Sequence, residues 1–215
     1  MTLKERYEGA LNYWREAMPN PTTELVYHNP FEILVAVILS AQCTDKRVNM
    51  VTPALFAAYP SAQAMAKATE EELLHYIKSV SYPNSKARHL QQMAAMLVDE
   101  FNGIVPDTME QLTRLPGVGR KTANVMLGLV FNKAAIAVDT HVFRVANRMG
   151  LASGKTPLEV EKTLTRHINS EDRFNAHHWI LLHGRYVCKA LKPNCLECRV
   201  KQWCKTYSST KKNKQ

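Results

Sequence analysis

The sequence predicts an all-α protein of 215 residues, and three observations carry that prediction. Apolar residues recur at helical spacing, Thr69, Thr108 and Thr156 are each followed three positions later by Glu or Gln, and no stretch alternates polar with apolar residues as a half-buried strand does.

Leu3, Tyr7, Leu11 and Trp14 fall on one face of a first amphipathic helix, which Pro19 and Pro21 end because proline cannot continue the backbone hydrogen bonding. Residues 31–39 are apolar except for Glu32 and read as a helix buried on most sides; the run is far shorter than the roughly 18 residues that cross a bilayer. Thr69 with Glu72, Thr108 with Gln111 and Thr156 with Glu159 have capping-box spacing, so a helix is expected after each. Ser85 is expected to cap a helix through Leu90, Met93, Leu97 and Phe101 that Gly103 ends. Asp139, just before Thr140, His141 and Val142, is a good N-cap for a helix ending near Gly150. The tail, residues 208–215, is rich in Lys, Ser and Asn and is expected to be disordered.

An excess of 28 Lys and Arg over 19 Asp and Glu gives a net charge of +9, which favours a polyanionic partner, with nucleic acid the leading candidate. Charge alone does not single out DNA, because lysines also serve solubility. Residues 1–6 carry charge of both signs where a secretory signal would place an apolar core, so the protein is expected to be cytoplasmic with no membrane partner. Of five cysteines, Cys43 stands alone while Cys188, Cys195, Cys198 and Cys204 crowd together, a pattern that suits a metal site in a reducing compartment better than a disulfide framework.

The segment Leu112 to Ala123 is expected to end one helix and start another across a turn built on Pro116, Gly117 and Gly119. Glycines let the backbone come close to another surface, and the N–H groups opening the second helix form an anion site at the positive end of its dipole. Leu115 and Val118 can anchor this hairpin while Arg120 and Lys121 follow at once, so the turn is read as gripping a DNA phosphate without reading a base. Lys121 also fits a second role, since a lysine whose charged form is disfavoured by a helix N-terminus and a neighbouring Arg120 can act as an amine nucleophile. Taken by itself, a phosphate contact is the commoner role for such a lysine.

The four clustered cysteines offer soft thiolates within one short segment, enough for a tetrahedral zinc or for an iron–sulfur cluster, and spacing alone does not choose between them. Arg185, Lys189, Lys192, Arg199, Lys201 and Lys205 surround them with positive charge, as a metal-tied loop presenting cations to phosphates would.

Three stretches resemble the endonuclease III family. Leu-Pro-Gly-Val-Gly-Arg-Lys-Thr-Ala, from Leu115, resembles its helix-hairpin-helix; the segment from Val138 to Arg144 resembles its catalytic aspartate segment; and that from Leu39 to Asp45 resembles its glutamine-bearing loop. The cysteine spacing is similar to the family's signature for a 4Fe–4S cluster, and the resemblance extends over nearly the whole chain.

This resemblance implies a six-helix barrel-like domain at residues 23–134 containing the helix-hairpin-helix, and a discontinuous cluster domain from residues 1–22 and 135–215, with the DNA groove between them. It implies a monomeric base-excision-repair glycosylase acting on double-stranded damaged DNA. The enzyme would release oxidised pyrimidines and cleave 3′ to the abasic site by β-elimination. Lys121 would attack C1′ and form a Schiff base, and Asp139 would stabilise positive charge on the sugar or assist proton movement. Gln42 would fill the gap left by the extruded nucleotide. His141 would line the damaged-base pocket, and Leu115, Gly117, Val118, Gly119, Arg120 and Arg144 would contact DNA. Cys188, Cys195, Cys198 and Cys204 would hold one 4Fe–4S cluster per chain, chiefly as a structural staple.

The chain departs from the family at Tyr82, where leucine is typical, at Pro83, which replaces a common tyrosine, and at Cys43, which stands where alanine is frequent and is expected to be buried as a small hydrophobe. Helix packing accounts for His167, His177, His178 and His183. Related adenine and thymine mismatch glycosylases usually lack the hairpin lysine, and a non-catalytic DNA-binding module would have no need of Lys121 and Asp139 together.

Overall fold

Helix starts in the computed structural model, which describes residues 1–212 and the side chains of residues 1–209, follow the local signals closely. Among the described residues the regular structure is all helical: α1 (Leu3–Ala17), α2 (Pro30–Leu39), α3 (Asp45–Ala58), α4 (Ala62–Ala66), α5 (Glu70–Ile77), α6 (Pro83–Phe101), α7 (Met109–Arg114), α8 (Arg120–Leu129), α9 (Thr140–Met149), α10 (Pro157–His167), α11 (Arg173–Tyr186) and α12 (Lys205–Lys212). Thr69, Thr108 and Thr156 all accept the expected backbone N–H and open α5, α7 and α10. The reciprocal bond of a full capping box forms at Thr69; at Thr156 the Glu159 carboxylate instead accepts the N–H of Lys155 at 2.7 Å. Asp139 caps α9, which Gly150 ends in the left-handed region at φ 75°.

Two expectations need correction. α6 starts at Pro83, two residues before Ser85, because proline is preset for the first helical position and its missing N–H is not needed there. Residues 208–212 belong to α12, while residues 213–215 lie outside the described part of the chain. The stretch from α2 to α8 includes α4, a five-residue helix capped by Ser61 that is too short to show a periodic pattern in the sequence.

The chain divides into two compact units, Glu24–Phe131 and Met1–Thr23 with Asn132–Gln215. The first is centred on α2, whose residues 31–39 are all buried. Glu32 fits within that run because it sits in the first turn of α2 and its carboxylate accepts the His28 N–H at 2.7 Å. In the second unit Trp14 and Trp179 are fully buried with Val142, Val145, Met149 and Leu164, and each such side chain contributes about 1.5–3 kcal/mol of burial free energy.

Within this second unit α1 is stitched to residues far along the chain. The Tyr7 hydroxyl donates to the Leu151 carbonyl at 2.6 Å, the Trp179 indole donates to the Met18 carbonyl at 2.7 Å, and Arg6 donates to the carbonyls of Trp203 and Gly150 at 2.9 and 3.1 Å. α9 crosses α11 closely at Gly184, where an added Cβ would lie 2.8 Å from that of His141. No helix among the described residues is long and apolar enough to cross a membrane.

Candidate functional site

The hairpin between α7 and α8 is held from the inside. Leu115 and Val118 are buried, and the Val118 N–H donates to the Leu115 carbonyl at 3.0 Å, closing the turn. These two residues thus shape the hairpin with side chains turned inward. Gly117 adopts φ 80°, and a Cβ there would meet the Cβ of His89 on α6 at 3.0 Å, so both conformation and space require glycine. Gly119 differs: its backbone is extended, and a Cβ would meet nothing within 4 Å.

Gly119 is also the N-cap of α8 and brings no capping side chain, whereas Asn29, Thr108 and Asp139 cap their helices with side-chain oxygens. The first turn of α8 thus combines positive dipole, backbone donors uncovered by a cap and open space above the glycine, the physical requirements for an oxyanion. Arg120 and Lys121, both exposed, are the first two residues of α8. One turn further, Asn124 is buried with its amide nitrogen unpartnered among the described residues.

Asp139, in the other unit, is half-buried, and one carboxylate oxygen accepts the Val142 N–H at 2.7 Å, so capping holds the group still at the head of α9. Beside it, His141 Nδ1 lies 3.1 Å from the Arg144 guanidinium. Arg144, expected on DNA, has a different place: it donates to the carbonyls of Gly184 and Cys188 at 2.9 and 3.1 Å and reaches that of Thr140 at 3.4 Å. A guanidinium shared among those acceptors ties α9 to α11 and to the cysteine segment.

Cys188, Cys195, Cys198 and Cys204 come together around one small, partly open cavity, lined also by Met149 and His183. All four are half-buried, and none forms a disulfide. Burial pushes the Cys198 and Cys204 thiols up, and the neighbouring cysteine sulfurs push in the same direction. Four thiolates packed this way repel one another, so the set fits a cationic centre that offsets their charge. Two groups face the sulfurs: Arg148 donates to Cys188 Sγ at 3.7 Å, and His183 Nε2 lies 3.7 Å from Cys198 Sγ. Burial pushes the His183 imidazole down to about 4, so the ring is neutral at neutral pH.

Gln42 stands exposed in the loop between α2 and α3 with left-handed backbone, φ 54°. Cys43 beside it is half-buried, less enclosed than a core thiol would be. Ser81 and Lys86 belong to a segment that resembles the family's second wedge loop, but their anchoring bonds to the Gln42 loop escaped the sequence reading. The Ser81 hydroxyl donates to the Gln42 carbonyl at 2.7 Å, and the buried Lys86 ammonium donates to the carbonyls of Leu39 and Ala41, each at 2.7 Å. The signal for Lys86 was its register, since it lies four residues before Leu90 on the apolar stripe of α6.

Comparison with known proteins agrees with this geometry. The pattern described as "HhH-GPD superfamily base excision DNA repair protein" matches residues 35–170. Endonuclease III of Rickettsia conorii is 50% identical over 193 residues, covering 90% of this chain and 92% of the relative. Endonuclease III of Escherichia coli (strain K12) is 45% identical over 190 residues, covering 88% and 90%. A solved structure of a trapped endonuclease III–DNA covalent intermediate, an estranged-adenine complex, superposes with a TM-score of 0.92 at 43% identity, covering 98% of this chain and 100% of that one. With a glycine hairpin, a lysine in the helix turn that follows it, a capping aspartate and four gathered cysteines, the chain belongs to the endonuclease III family within the HhH-GPD superfamily.

Proposed function

We propose that this protein is a base-excision-repair DNA glycosylase with AP lyase activity, removing oxidised pyrimidines from duplex DNA and acting as a cytoplasmic monomer. The observation that carries the reading is the placement of Lys121 as the second residue of α8, directly behind a hairpin whose glycine face is open to a phosphate. A phosphate held there fixes the backbone beside an amine, which turns an intermolecular attack into a local one.

In this reading the Lys121 amine, in its neutral form, attacks C1′ of the damaged nucleotide. The N–C1′ bond forms as the N-glycosidic bond breaks, and the base leaves with a proton. The aminal so formed opens as its C1′–O4′ bond breaks and O4′ takes up a proton; the resulting imine acidifies the C2′ hydrogen, whose loss expels the 3′ phosphate and nicks the strand. Asp139, held by its cap bond, supplies negative charge against the cationic sugar. Arg120 and the backbone at Gly117 and Gly119 hold phosphate, and His141 contributes to the damaged-base pocket. One relative was solved as a trapped covalent intermediate on DNA, as expected of an enzyme that attacks through its own side chain.

Cys188, Cys195, Cys198 and Cys204 would hold one 4Fe–4S cluster. The four sulfurs line one cavity and offer the thiolate set that an iron–sulfur cluster takes. When bound, the cluster supplies the iron–thiolate bonds that tie residues 188–204 together and present their cations. A brown protein with about four irons per chain is expected; a colourless protein containing zinc would overturn the assignment.

Borohydride trapping on duplex containing thymine glycol tests the reaction. Wild type should yield a covalent adduct and a nicked strand, and Lys121→Ala neither, while still binding DNA. If wild type gives no adduct, the lysine mechanism is wrong.

A further inference from the structure

Two non-glycine residues in the Glu24–Phe131 unit carry exposed side chains on left-handed backbone close to one tie point: Gln42 at φ 54° and Tyr82 at φ 55°. Tyr82 is 64% exposed, unusual for so large an apolar ring. Such backbone is unfavourable for both residue types and persists only where the surroundings enforce it. Here the enforcing contacts converge. The Ser81 hydroxyl donates to the Gln42 carbonyl, joining the two loops directly. Lys86 is 5% exposed, and its ammonium bonds the carbonyls of Leu39 and Ala41 at the negative end of the α2 dipole, one residue before Gln42. Its own backbone N–H donates to the Tyr82 carbonyl at 3.1 Å. One residue thus grips both loops, and its amine, bonded to two carbonyls, is not a second nucleophile.

An enzyme that extrudes a nucleotide leaves a gap in the stack and an unpaired base opposite. Filling both is fastest when the filling groups are already in position, because ordering two exposed loops during each encounter costs conformational entropy.

We propose that Lys86, with Ser81, is a positioning residue for duplex opening: together they hold the Gln42 loop and the Tyr82 loop, the two that resemblance to the family makes its insertion loops, in one preset arrangement. This rests on the glycosylase reading above and adds to it a division of labour, since neither Lys86 nor Ser81 touches the reacting atoms.

The test compares wild type, Lys86→Met, which keeps the buried stem without its donors, and Ser81→Ala. Each acts on thymine glycol paired with adenine, and on the same lesion opposite an abasic nucleotide, where no pair has to break and no orphaned base has to be held. Both variants should lose on the order of tenfold to a hundredfold in single-turnover rate on the paired substrate yet stay within about twofold of wild type on the other. With 2-aminopurine opposite the lesion, the change in its fluorescence on binding should shrink with the same ranking. Equal losses on both substrates, or no loss on either, overturn the positioning role. If Lys86→Met does not fold, Ser81→Ala decides by the same criteria. Wild type inactive on both substrates overturns the glycosylase reading and this proposal together, whereas an active wild type with an unchanged substrate ratio in the variants overturns this proposal alone.

Discussion

The Trp203 indole lies flat against Gly9: a Cβ added at that glycine would fall 2.0 Å from the indole Nε1. Mid-helix glycine costs about 1 kcal/mol relative to alanine, so Gly9→Ala would ordinarily stabilise α1. Here the rigid ring, next in sequence to Cys204, has nowhere cheap to go. Gly9→Ala should therefore lower Tm and weaken iron retention, read by melting and by visible absorbance during dialysis against a chelator. A raised Tm would show that the indole does not rest there.

Asp139 has two roles that one substitution separates. Asn caps a helix as well as Asp does, so Asp139→Asn should leave Tm nearly unchanged, while Asp139→Ala should cost about 1 kcal/mol. Both should cut the rate of base release by orders of magnitude, because both remove the charge. Near-normal turnover by Asp139→Asn takes the carboxylate out of the chemistry.

Arg144 bonds three carbonyls within its own unit. Arg144→Ala should lower stability by about 1–3 kcal/mol through the acceptors it strands. The slope of DNA affinity against salt should not change, although loss of a phosphate contact would lower it by about one unit. Measuring both quantities decides between tie and contact.

The hairpin glycines should respond oppositely. Gly117→Ala forces a side chain into left-handed backbone against His89 and should destabilise by about 1–3 kcal/mol. Gly119→Ala has room to fold, losing only the modest preference of an N-cap for glycine over alanine, about 1 kcal/mol or less. Its methyl group stands where the backbone of DNA would come, so affinity should fall while Tm hardly moves. Equal effects at the two positions would argue against an approach over Gly119.

Burial pushes the His178 imidazole below its ordinary value, with the Phe174 and His177 rings packed against it. The unfolded chain therefore takes up this proton at a higher pH than the folded one. Stability should fall as pH drops below the ordinary imidazole range and be unaffected by this group above it. His178→Phe should flatten part of that acid limb in denaturant melts at successive pH values; an identical slope would mean His178 does not contribute.

Helix starts are legible because their chemistry is local: Thr69, Thr108, Thr156 and Asp139 each bond an N–H three residues away, and the sequence contains both partners. The cysteines are legible because their ligand chemistry is shared and their spacing short. What escapes is long-range. Arg144 looks like a surface cation until Cys188, 44 positions later, supplies its acceptor, and Lys86 looks like a misplaced charge until the end of α2, 47 positions earlier, meets it. α6 shows a milder failure, since Ser85 and Pro83 are both valid start signals and only the backbone at Tyr82 selects the proline.

Because α1 finds its partners at Leu151, Trp179 and Trp203, it must wait on the ribosome until those later residues emerge before it can pack against them. Residues 24–131 contain their own partners in one continuous stretch and can finish earlier. Synthesis order and assembly order are thus reversed for α1, which leaves an amphipathic segment to be sheltered during translation, and a chain cut short before Trp203 would leave that segment without its last contact.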